Sequence, residues 1–138
     1  MNRSDTLLSS IRNFYIKEEN STYLIDILEK RNGISLRNLE WFITNYAKQK
    51  NLTYTTKNGL AFTVHCAYKS SLDGYSKKLF DPFCRTIKFE FEIPNSNGLK
   101  IQTTVAQLNF IRWCITNNII EYMIKNNEKL MSTKKLHT

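Results

Sequence analysis

Glycine and proline are scarce in this sequence, four and two residues in 138, and the glycines stand far apart at positions 33, 59, 74 and 98. That dispersal excludes a glycine-rich loop of the kind whose backbone N–H groups cradle a phosphate, and it argues against nucleotide hydrolysis. Histidine occurs only at His65 and His137. Cysteine occurs three times, at Cys66, Cys84 and Cys114, an odd number whose spacing fits neither a disulfide framework nor a zinc site built on paired cysteines. Reduced thiols in the core are the expectation, with no metal and no cofactor. No window approaches the run of about 18 apolar residues that spans a membrane. The stretch from Met1 to Ser10 holds one arginine and only Leu7 and Leu8 as apolar residues, unlike a secretory signal. An intracellular, reducing setting follows as an expectation, in which the sequons at Asn2, Asn20 and Asn51 carry no weight.

What is present suffices for a core. The chain is 41% hydrophobic and 23% charged, a balance that belongs to folded domains rather than disordered ones, and residues 1–138 read as a single domain. The formal net charge is +8, which invites a nucleic-acid reading because clustered cations gain affinity by releasing counterions from phosphates. The excess is spread, however, and Asn, Ile and Lys are enriched as an AT-rich genome would enrich them. There are 8 basic and 6 acidic residues up to Asn51, 6 and 4 from Leu52 to Ile93, and 6 and 2 thereafter. Charge alone therefore leaves a nucleic-acid surface and a merely soluble basic surface both open.

Periodicity predicts an α+β fold with N-terminal helices, an antiparallel sheet of about four strands and a long C-terminal helix packed on that sheet. Leu7, Leu8, Ile11, Phe14 and Tyr15 recur at helical spacing after Ser4 and Asp5. Leu24, Ile27 and Leu28 follow a Ser21 cap and stop at Asn32 and Gly33, and Ser35 caps a third helix through Leu36, Leu39, Phe42, Ile43 and Tyr46. The period then drops to two. Leu52–Lys57 and Leu60–Lys69 flank Asn58 and Gly59, a hairpin-turn pair, with Phe62, Val64, Cys66 and Tyr68 on one face. Arg85–Ile93 sets Ile87, Phe89, Phe91 and Ile93 against Lys88, Glu90 and Glu92, and Leu99–Thr103 returns antiparallel after a turn. Thr104 and Gln107 form a capping box for a helix from Val105 to Lys125, beyond which Asn126–Thr138 reads as a frayed helix or mobile basic tail.

The connection from Ser70 to Cys84 is the most informative stretch, because structureless loops of about 15 residues are uncommon unless they function. It places Tyr75, Lys77, Lys78 and Phe80 together, with Lys69 and Arg85 at its ends. Cation beside aromatic is the chemistry that stacks a base while holding a phosphate. The bland alternative is that Leu79, Phe80 and Phe83 plug the loop into the core while the lysines are merely solvated. His65 beside Cys66 suggests a thiol and its base, but neighbours in a strand point to opposite faces. Glu90 and Glu92 fall on a wet strand face, and Asp73 and Asp81 are turn formers, so no acid–base pair stands out and no enzyme is expected. Trp41 lies off the apolar stripe of its helix and is a candidate partner surface with Tyr15 or Tyr23, against the alternative of a broad buried face.

Three runs, GISLRNLEWFITNYAKQKN from Gly33, YKSSLDGYSKKLFDPFCR from Tyr68 and TVAQLNFIRWCITNNIIEYM from Thr104, resemble small proteins of the nucleocytoplasmic large DNA viruses, including mimivirus-like giants. The resemblance implies a setting in host cytoplasm or virion and transfers no functional residue. The leading expectation is a basic, non-enzymatic binding module, an RNA- or DNA-binding accessory protein using Lys69, Tyr75, Lys77, Lys78, Phe80 and Arg85. Its rival is a scaffold or adaptor subunit of a viral transcription, translation-initiation or virion complex.

Overall fold

A computed structural model describes residues 3–31, 33–126 and 129–130 and has the expected α+β class. α1 (Arg3–Tyr15) buries Ile11 and Tyr15, and α2 (Glu18–Leu28) buries Ser21, Leu24 and Ile27. Ser21 lies inside α2 instead of capping it, with its hydroxyl donating to the Glu18 carbonyl at 3.0 Å. The expected stop falls partly on Asn32, outside the described residues. Gly33 has φ +73°, where only a residue without Cβ sits free of strain.

The expected cap of the third helix is present: Ser35 Oγ accepts the Asn38 N–H at 3.2 Å, and Asn38 Oδ1 accepts the Ser35 N–H at 3.0 Å. This helix, α3, runs Leu36–Trp41, widens into a π turn over Phe42–Tyr46 and finishes as Ala47–Lys50. In the π turn the Ala47 N–H reaches back to the Phe42 carbonyl, and Phe42, Ile43, Tyr46 and Ala47 are all buried.

The strands form two separate hairpins where one sheet of about four strands was expected. β1 (Thr53–Thr55) pairs antiparallel with β2 (Ala61–Thr63), and β3 (Phe89–Glu92) pairs antiparallel with β4 (Lys100–Thr103). The first turn falls at the expected Asn58-Gly59 pair, but only Gly59 takes positive φ, +80°. The connection is longer than a two-residue turn: the Gly59 N–H donates to the Thr56 carbonyl at 2.9 Å and the Thr56 N–H to the Leu60 carbonyl at 2.9 Å. β2 does not continue to Lys69. The chain becomes helical at Val64, giving α4 (Val64–Tyr75) and, after Ser76, the single turn α5 (Lys77–Phe80). Val64 and Tyr68 satisfy period 2 and the i, i+4 spacing of a helix equally well, and burial of both follows from the helix. Cys66 falls off that face and is exposed, which corrects its placement in the core.

β3 likewise begins later than Arg85. Its partner β4 ends at Thr103, where Thr104 Oγ1 accepts the Gln107 N–H at 3.1 Å and starts α6 (Val105–Thr116). The expected box is only half formed, because the Gln107 side chain bonds Thr103 Oγ1 and the Pro82 carbonyl instead. Among the described residues nothing pairs with residues 85–88. Ile87, expected inward with Phe89, Phe91 and Ile93, is 88% exposed, whereas Phe91 and Ile93 are buried.

The long C-terminal helix is two helices, α6 and α7 (Ile119–Lys125), broken where Asn118 takes φ +61°; asparagine tolerates the left-handed region better than most residues. α6 is central, burying Ala106, Leu108, Phe110, Ile111 and Cys114, and the Tyr15 hydroxyl donates to the Leu108 carbonyl at 2.8 Å across the core. Of the expected tail, Leu130 is buried, while residues 127–128 and 131–138, His137 among them, lie outside the described residues. Among the described residues no helix is long and apolar enough to cross a membrane.

Candidate binding surface

The stretch expected as a loop is the second half of α4, the single turn α5 and a non-helical turn over 81–84, and α5 with that turn is pinned to α6. The Asn109 side chain donates to the Leu79 carbonyl at 2.9 Å and Gln107 donates to the Pro82 carbonyl at 3.2 Å. Phe80 is the plug. It is fully buried and meets Phe110 and Trp113 edge-on at 5.8 and 5.7 Å. Tyr75 stacks on it at 5.6 Å with 11° between the planes. Phe80 is therefore removed from the set of base-stacking residues, and Tyr75 has a ring face occupied by Phe80. Tyr68 closes the cluster, its hydroxyl pKa pushed up to about 12 by burial and then by the Asp81 and Glu40 carboxylates.

The cations of the same segment point the other way. Lys69, Lys77, Lys78 and Arg85 are exposed, and among the described residues none has a carboxylate within 4.0 Å. The ion pairs lie elsewhere, at Lys17–Glu19, Arg31–Glu29, Lys57–Glu121 and Lys100–Glu90. Helix α3 adds to this flank. Arg37 sits over the exposed Phe83 ring at 5.5 Å. Lys48 and Lys69 lie near enough to His65 to help lower its pKa, burial being the larger cause. The sequence assigns neither Arg37 nor Lys48 to this flank, since nothing local marks a residue that tertiary packing carries to another segment. Asp81 is taken up within its turn, Oδ1 accepting the Phe83 N–H at 3.0 Å.

Beside Lys78 and Arg85 lies an open groove of about 370 Å³, walled also by Leu79, Thr86, Ile87 and Val105. The other candidates do not assemble into sites. Trp41 leans on Tyr46 at 6.3 Å, Trp41 and Tyr23 are both half-buried against the core, and Tyr15 is fully buried, so Trp41 makes no exposed patch with Tyr15. His65 and Cys66 are neighbours on α4, about 100° apart around the helix. Among the described residues no three His, Cys, Asp or Glu side chains gather as a metal would require.

Comparison with known proteins adds a family and a viral relative. The family described as "Family of unknown function (DUF7197)" matches residues 1–138. The chain is 42% identical over 110 residues to "Uncharacterized protein L507" of Acanthamoeba polyphaga mimivirus, an alignment that covers 73% of this chain and 42% of that protein. The chain thus spans less than half the length of this relative, and the resemblance to giant-virus proteins is shown. No solved structure matches.

Proposed function

Because the chain belongs to DUF7197, a family whose description names no chemistry, we propose from the surface itself that it is a non-enzymatic module holding the phosphate backbone of RNA or DNA. The α4–α5 flank is the contact face, and the setting is the host cytoplasm or virion of a virus. One observation carries this reading: Lys69, Lys77, Lys78 and Arg85 stand exposed on one segment with no described carboxylate within ion-pair distance. Unpaired cations hold mobile counterions in water and release them to a polyanion, which makes affinity salt-dependent and indifferent to base sequence. With Phe80 and Tyr75 packed together, base stacking contributes little and the contact is to the backbone.

The test is the double reversal Lys77→Glu with Lys78→Glu. Affinity for single- and double-stranded probes should drop for every sequence, and the slope of log affinity against log salt should flatten by about two charge units' worth, with the melting temperature unchanged. Undiminished affinity would overturn the reading. Purification of the tagged protein with and without nuclease gives an independent check, since partners that persist after nuclease are held by protein contacts.

A further inference from the structure

Residues 85–88 lead into β3 and pair with no strand among the described residues. In sequence they continue β3 with the same alternation, yet β3 begins only at Phe89 because α6 has replaced any continuation of β4. Among the described residues no hydrogen bond is made by the backbone of Arg85, Thr86, Ile87 or Lys88. The ladder sets which way these groups face. The Ile93 N–H donates to the Leu99 carbonyl at 2.8 Å, and Phe91 opposes Ile101 and Phe89 opposes Thr103 in the same register. Hydrogen-bonded pairs alternate along an antiparallel ladder, so the odd-numbered residues bond to β4. Lys88, Glu90 and Glu92 then turn their N–H and C=O groups to the opposite, open edge.

Ile87 adds an apolar element to that edge. It is 88% exposed and lines the 370 Å³ groove with Leu79 and Val105, a groove that the cations Lys78 and Arg85 also line. An open strand edge beside a side-chain pocket is the geometry of strand addition, in which main-chain hydrogen bonds supply affinity and alternate side chains supply choice. Exposed edges of this kind are otherwise blunted or covered. Lys78, Arg85 and Lys88 decide the occupant: an incoming strand needs carboxylates on either side of an apolar residue. A second copy of this chain would bring its own Arg85 and Lys88 to the same place, on a molecule of net charge +8.

We propose that residues 85–88 and the adjoining groove take an extended acidic segment of a partner protein as an added strand, with an apolar side chain of that segment seated against Ile87. This site does not depend on the nucleic-acid reading. Its backbone groups and Ile87 act even if Lys69 and Lys77 bind nothing.

The test uses the full chain and a set of synthetic eight-residue peptides that alternate Glu or Asp with Val, Ile, Leu or Phe, at about 0.15 M salt to screen loose attraction. At least one peptide should bind saturably and slow amide exchange at residues 86 and 88. Ile87→Asp, a change on an exposed side chain, should weaken binding at least about tenfold. Lys88→Pro removes an N–H that makes no hydrogen bond within the described chain, with φ fixed by the ring, and should weaken binding more than Lys88→Gln, which keeps that N–H. Failure of every peptide to bind would overturn the proposal, as would equal binding by peptides carrying Lys in place of Glu and Asp, or unaltered binding to Ile87→Asp. Concentration-dependent dimerisation that protects the same amides without peptide would assign the edge to a second copy and overturn it too.

Discussion

Where β1 and β2 meet α7, polar groups close on one another. The Lys57 ammonium donates to Glu121 at 2.8 Å, the Lys57 N–H donates to Asn118 Oδ1 at 3.1 Å, and the Tyr54 hydroxyl donates to the Asn117 carbonyl at 2.7 Å. On the α4–α5 flank the same residue types divide. Tyr68 and Tyr75 turn inward to the Phe80 cluster, while Lys69, Lys77 and Lys78 face water with no described carboxylate in reach. A lysine beside a tyrosine is thus no signature by itself. What distinguishes a binding flank from a structural one is whether the cation's charge is already spent within the molecule.

The largest effect that separates the two roles comes from Phe80. Phe80→Ala empties a fully buried aromatic site and should lower unfolding free energy by roughly 3 to 5 kcal/mol, read from urea transitions. A loss well below that would mean that the ring is not the plug and would return Phe80 to the surface. Ser76 joins α4 to α5 at φ +79° and ψ +160°, a region almost reserved for glycine that costs other residues on the order of 1 to 3 kcal/mol. Ser76→Gly should therefore raise the denaturation midpoint, offset in part by the entropy of a glycine in the unfolded chain.

Tyr54→Phe tests the closed flank. It strands the Asn117 carbonyl and should cost about 1 kcal/mol, whereas Lys77→Ala and Lys78→Ala on the open flank should leave the melting temperature unmoved. Comparable losses at both places would abolish the distinction between them.

The smallest effect concerns His65. Burial first, and then Lys48 and Lys69, hold its pKa below the ordinary value, so the unfolded chain binds a proton more readily than the folded one. The associated stability is complete above pH of about 6.5, the unfolded value, and is lost as pH falls through the folded pKa. An NMR titration of His65 should show the lowered pKa. Lys69→Ala should raise it only partway toward the ordinary value, because burial is the larger cause. Full restoration would mean that charge, not burial, dominates on that flank.

By itself the sequence determined what depends on neighbours a few residues apart. The Ser35–Asn38 and Thr104–Gln107 caps, the Gly59 turn and the alternation of Phe89–Glu92 each close locally, so the N-terminal helices, both hairpins and the start of α6 were legible in it. So was the position of the cationic stretch, because charges this exposed need no tertiary partner to stay at the surface. Packing between distant segments settled the rest. Val64–Lys69 could satisfy a strand or a helix until Tyr68 found Phe80, Phe110 and Trp113, and the helix then ran on through residues that read as loop. Ile87 reads as core until β4 ends at Thr103 and leaves it without a neighbouring strand. Whether Lys77 is free and Lys57 is paired depends on where distant carboxylates come to rest. That distance is set by packing, and no local spacing encodes it.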